Sequence, residues 1–141
     1  MKLQEAAADF FRSYAAAFSK GDARAITGFW AFPAFVTTPQ GNAAFEDPER
    51  FEANTTALCA FYSRQGLTKV EAETVSINEL HQGIALVKTH YRLYGNQDSL
   101  IVAWMHTYLI RHERDDIKLI TAIADGELAA WEARGTPLGS R

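Results

Sequence analysis

The chain has almost no cysteine. Cys59 stands alone among 141 residues, so no internal disulfide can form, and a reducing cytoplasm is the expected compartment. It also lacks any block of Lys or Arg. The 14 basic residues are outnumbered by 17 acidic ones, for a formal net charge of −3, which leaves no electrostatic footprint for nucleic acid. A long apolar run is missing too. The segment "MKLQEAAADFFRSYAAAF" is apolar only at helical intervals, so it is expected to be neither a signal peptide nor a membrane span. The spacings HxH, HxxxH and CxxC do not occur, so no metal is expected, nor any other cofactor. Repeats, low-complexity segments and linkers are absent as well.

What is present is ordinary for a globular chain. The sequence is 48% hydrophobic and 22% charged, which excludes the disordered class, and its length suits one domain over residues 1–141. Leu3, Ala7, Phe10, Tyr14 and Phe18 recur at three- and four-residue steps, flanked by Ala6, Phe11 and Ala17. This pattern predicts a helix with a wide buried face. Gly21 suits its left-handed cap, and Asp22 caps a second short helix running to about Phe29. "FPAFVTTPQG" predicts a short strand confined to an edge or an end by Pro33 and Pro39, with "NAAFED" returning beside it. Asp47 before Pro48 starts a long helix buried through Phe51, Thr55, Leu58, Cys59 and Tyr62.

From Leu67 onward the pattern is strand: Leu67 to Leu80, Gly83 to Tyr94, Ser99 to His112, and Ile117 to Asp125. "GNQD" and "ERDD" supply turns. "ELAAWEARG" reads as a last short helix, and "TPLGSR" as a loose tail. Helices gathered on one side of an antiparallel meander make an α+β fold.

With "SKGDARAITGFW", "FVTTPQG", "DPERF" and "HTYLIRHERDDIKLITAIAD" in this order, the chain resembles the nuclear transport factor 2-like superfamily, the SnoaL-like or ketosteroid-isomerase-like cone fold. The resemblance covers about residues 5 to 128. It implies a curved antiparallel sheet wrapped around N-terminal helices, an internal pocket at the open end, and frequent homodimers. Its members include isomerases, dehydratases, epoxide hydrolases, cyclases and proteins without a known reaction.

"VAWMHTYLIR" is oily on both of its strand faces. If Asn96 and Gln97 form the hairpin tip, Thr89 lies opposite Trp104, Val87 opposite His106, Ala85 opposite Tyr108 and Tyr91 opposite Val102. One face then carries Tyr91, Trp104, His106 and Tyr108 and reads as the concave wall. The other carries Ile101, Ala103, Met105, Thr107 and Leu109 and reads as a convex face covered by a partner subunit.

Tyr14 precedes Gly21 by seven residues, the spacing that the resemblance implies for an oxyanion donor. It also belongs to the buried stripe, where a Tyr hydroxyl needs a partner in any case. The resemblance puts a catalytic acid before the Pro of the first hairpin, but Thr38 stands there and cannot abstract a proton at neutral pH. Tyr108 replaces the second acid of that site. Steroid isomerisation is therefore not expected, and the acids and Arg of the epoxide-hydrolase branch are absent from the predicted inner face. His106 is read either as a polar anchor or, with Tyr14, as the catalytic acid–base. Trp30, ending the second helix, is read as a pocket-mouth residue or as core, and Asp125 as an orienting carboxylate or a turn cap. Cys59 is read as core.

The expected ligand site is thus Tyr14, Trp30, Tyr91, Trp104, His106 and Tyr108, around a small apolar or aromatic molecule. Three roles remain open: a small-molecule binder, a cofactor-independent lyase, isomerase or cyclase, and a dimeric interaction module.

Overall fold

The apolar stripe at the N-terminus folds as helix α1, Lys2–Ser19, which buries Ala7, Phe11, Tyr14, Ala15 and Ala17. The computed structural model describes residues 2–114, 116–124 and 126–138; the candidate Asp125 and residues 139–141 of the expected tail lie outside them. Gly21 takes the left-handed conformation (φ 64°) that ends α1. Asp22 Oδ1 then accepts from Ala25 N at 3.1 Å and caps α2, Ala23–Thr27. Strand β1, Trp30–Thr38, leads through a turn at Pro39 into β2, Gly41–Phe45. Asp47 Oδ1 accepts from Arg50 N at 2.9 Å and caps α3, Pro48–Arg64. Strands β3, Lys69–His81, β4, Ile84–Tyr94, β5, Leu100–Glu113, and β6, Asp116–Ile123, complete the sheet, and α4, Glu127–Arg134, follows.

The six strands lie in the order β2-β1-β6-β5-β4-β3. The result is the expected α+β cone, a curved sheet not closed into a barrel, with two corrections. The sheet is mixed, because β1 runs parallel to β6. And β1 is an interior strand rather than an edge. Pro33 is tolerated there because it sits where the β1–β6 register breaks between Trp30 and Phe35, so no ladder bond is asked of it. Trp30 correspondingly opens β1 instead of ending α2.

The β4–β5 register also differs from the sequence reading. Thr89 lies opposite His106, Val87 opposite Tyr108 and Tyr91 opposite Trp104. The offset is two residues, an even number, so every side chain keeps its expected face. The cause is a wider hairpin tip: a 3-10 turn over Asn96–Asp98 holds Gln97 and Asp98 at positive φ, and the register breaks between Leu93 and Tyr94.

Burial follows these faces. Val102, Trp104, His106, Tyr108 and Ile110 of β5 are buried, while Ile101, Ala103, Met105, Thr107 and Leu109 are half-buried. In β6 a bulge opposite Leu109 and Ile110 resets the alternation, so Leu119 and Ala122 both point inward. Helix α1 is pinned along β3 where Val70 N donates to Ser19 Oγ at 2.8 Å. Among the described residues, no helix is long and apolar enough to cross a membrane.

Candidate functional site

Inside the cone, between α1, α3 and the inner faces of β4 and β5, lies a cavity of about 130 Å³. Tyr14, Trp30, Tyr91, Trp104, His106 and Tyr108 all line it. A wider groove of about 820 Å³ runs between α1, α2 and the start of β6, but it is open and edged by Lys2, Glu5, Asp9 and Lys118, so it offers little shelter from water. The aromatic cavity is more sheltered than that groove and is the better candidate.

Its polar tips are arranged in pairs. Trp30 Nε1 donates to Tyr14 Oη at 3.0 Å. The Tyr91 and Tyr108 hydroxyls share a hydrogen bond of 2.7 Å. Trp104 Nε1 donates to His106 Nδ1 at 2.9 Å, and the His106 ring stacks on Tyr108 with centroids 4.7 Å apart. Burial raises the pKa of all three tyrosines, so each is a neutral hydrogen-bonding group at pH 7.

The indole N–H can only donate, so His106 Nδ1 must accept and the single ring proton sits on Nε2. Burial lowers the His106 pKa from 6.5 to about 4, which makes the ring neutral at pH 7. The side chain presents a fixed Nε2–H donor.

The group that titrates nearer neutrality is Glu127, which the sequence reading passed over. It is the first residue of α4 and is only 6% exposed. Its Oε2 accepts from the Tyr62 hydroxyl and from Trp131 Nε1, the latter at 3.2 Å. Burial raises its pKa from 4.5 to about 6, against the opposing effect of those two bonds. Among the described residues no donor reaches Oε1. The position follows from packing. Trp131 is fully buried, with centroids 4.9 Å from Phe61 and 5.8 Å from Tyr62. Glu127 lies one helical turn before Trp131 and shares its face. Gly126 brings the helix close enough: a Cβ there would stand 2.9 Å from Met105 O. The four-residue spacing was a partial signal: a helix that buries Trp131 turns Glu127 to the same side.

The remaining histidines stay apart from the cavity. His90 is half-buried on the outer face, His81 is exposed at the end of β3, and His112 lies 3.3 Å from Glu79. Cys59 is half-buried on α3. Among the described residues no group of His, Cys, Asp and Glu could hold a metal ion. A second compartment of about 210 Å³, lined by Thr38, Arg64, Phe61 and Leu138, shares Val36, Asn54, Leu58, Ala124 and Glu127 with the inner cavity.

A family model described as NTF2-like protein (DUF6841) matches residues 4–127. The chain belongs to this NTF2-like family. No curated protein matches it. Solved structures share the NTF2-like architecture at low identity. Aln2 from a Streptomyces species is 11% identical with a TM-score of 0.69, covering 89% of this chain and 91% of that one. A domain of unknown function with a cystatin-like fold from Nostoc punctiforme is 15% identical with a TM-score of 0.67, covering 85% and 74%. A ketosteroid isomerase-like protein from Erwinia carotovora atroseptica is 11% identical with a TM-score of 0.58, covering 81% and 88%. At these identities the likeness establishes the fold, and an NTF2-like fold hosts more than one function.

Proposed function

We propose that this NTF2-like protein binds a small, mainly apolar molecule in its aromatic cavity, contacting Tyr14, Trp30, Tyr91, Trp104, His106 and Tyr108. The supporting observation is the aromatic-lined space of about 130 Å³ with His106 and Glu127 on its wall, the His106 Nε2–H and Glu127 Oε1 having no partner among the described residues. An apolar cavity of roughly 150 Å³ accommodates benzene, so the inner compartment suits a ligand of about that size. Native mass spectrometry of the purified protein tests the reading. A retained small molecule lost on Trp104→Ala is the expected result, and an always-empty cavity that no small aromatic enters is the contrary one.

A second reading, a cofactor-independent lyase or isomerase, is favoured by one observation: a buried carboxylate with a pKa near 6 among tyrosine hydroxyls. In that reading Glu127 moves the proton in place of His106, which donates from Nε2, while Tyr14 and Tyr108 donate to the substrate. Thr38 still supplies no base. Glu127→Gln would keep substrate binding and lower turnover by ~10²- to 10⁴-fold. The half-buried outer row from Ile101 to Leu109, with Leu100 57% exposed beside it, supports a homodimer through the convex sheet. Sedimentation at micromolar concentration is expected to give a dimer, and a monomer would remove that proposal. A cytoplasmic location belongs to the same reading.

A further inference from the structure

Resting on the binding reading above, the geometry points to a small organic cation, an amine with an apolar body, as the ligand class of the inner cavity. Among the described residues Glu127 is the one acidic side chain on the inner cavity's wall, and no Lys or Arg accompanies it. Its Oε2 is held by Tyr62 and Trp131, while no described donor serves Oε1. Oε1 is not among the fully buried unpartnered atoms, so it is open to a donor from outside the described wall, and a positive one complements the carboxylate best. The rest of the described wall cannot supply a cation. Around Glu127 stand Tyr62 from α3, Tyr14 from α1, Tyr91 from β4, and Tyr108 and neutral His106 from β5. Arg64 lines only the outer compartment, where its guanidinium lies 5.8 Å from the centroid of the Phe61 ring.

An ammonium group fits what the wall offers. It donates to Oε1, and the surrounding aromatic rings attract a cation. An anion would meet Glu127 with like charge. A neutral apolar molecule would fill the volume and leave Oε1 unserved. The Tyr14 O–H and His106 Nε2–H remain available to an oxygen acceptor on the same molecule, so an amine that also carries a hydroxyl or carbonyl matches both ends.

The test uses three probes of one shape on the intact protein: cyclopentylamine, cyclopentanol and cyclopentanecarboxylate, titrated calorimetrically and by tryptophan fluorescence at pH 7.5. The amine is expected to bind at least about tenfold tighter than the alcohol, with the carboxylate weakest. Glu127→Gln should abolish the amine's preference while leaving alcohol binding in place. Because that variant could perturb folding, the wild type is also titrated at lower pH. Amine affinity should fall as Glu127 becomes protonated, and alcohol affinity should not. Alcohol binding equal to or tighter than amine binding, or a preference that survives Glu127→Gln, overturns the cation inference and leaves the binding reading standing. Entry of none of the three probes overturns the binding reading and the inference together.

Discussion

His106 on β5 and Glu127 on α4 are two titratable groups buried in one cavity, and burial pushes each toward its neutral form. The histidine falls to about 4 and the carboxyl rises to about 6. At pH 7 they nonetheless differ in charge: the imidazole is neutral and the carboxylate largely ionised. Their neighbours suit those states. Glu127 receives an O–H and an N–H, which favour negative charge, whereas His106 Nδ1 receives an N–H that a second ring proton would oppose. The comparison teaches that burial can push two groups toward neutrality and still leave them unequally charged: the two bonds that Glu127 Oε2 accepts offset part of its desolvation, whereas desolvation alone lowers His106.

The strongest way to break the contrast is to release α4. Trp131→Ala removes a fully buried indole that anchors the helix and donates to Glu127. It should cost about 3–5 kcal/mol in denaturant unfolding. The contrast can be sharpened by pH. His106, with a lowered folded pKa, contributes stability present above pH 6.5 and lost as pH falls toward 4, about 3 kcal/mol in all. Glu127, with a raised folded pKa, acts oppositely: stability rises by about 2 kcal/mol as pH falls from 6 to 4.5. The two groups together should therefore leave a net loss of only about 1 kcal/mol between pH 6.5 and 4. Glu127→Gln should uncover the full His106 loss, and an unchanged pH profile in that variant would count against the assigned shifts.

A smaller effect is expected from Gly126→Ala. The new Cβ would press on Met105 O, a backbone atom that cannot rotate away. A loss of about 1–3 kcal/mol is expected in thermal or denaturant unfolding. Smallest is Tyr62→Phe, about 1 kcal/mol. It removes a bond that lowers the Glu127 pKa, so that pKa should climb further above 6, measurable by carbon NMR of the labelled carboxyl.

Caps and alternation made most of the fold legible. Asp22, Asp47 and Gly21 mark helix ends through local chemistry, and those marks coincide with the observed caps. The inner row of β5 could be read for the same reason, since period two is a property of the strand itself. The β4–β5 register was not legible, because a tip with Gln97 and Asp98 at positive φ carries no glycine signature at those positions. Pro33 misled for the opposite reason: it marks a missing donor, but a register break can accommodate that as well as an edge can. Glu127 was overlooked because its burial depends on Tyr62, which is distant in the chain. Charged residues on short helices default to solvent unless such a contact is known.

The parallel pairing of β1 with β6 has a kinetic consequence. Phe35 meets Thr121, and Val36 meets Ala122, across almost the whole intervening chain. The β3–β6 meander can zip together through neighbouring hairpins, but β1 and β2 gain their place in the sheet only after a very long loop has closed. The entropy of that closure precedes any reward from the contacts it makes. Assembly should therefore run from the meander outward, with the Trp30 side of the cavity walled in last and opened first in amide hydrogen exchange.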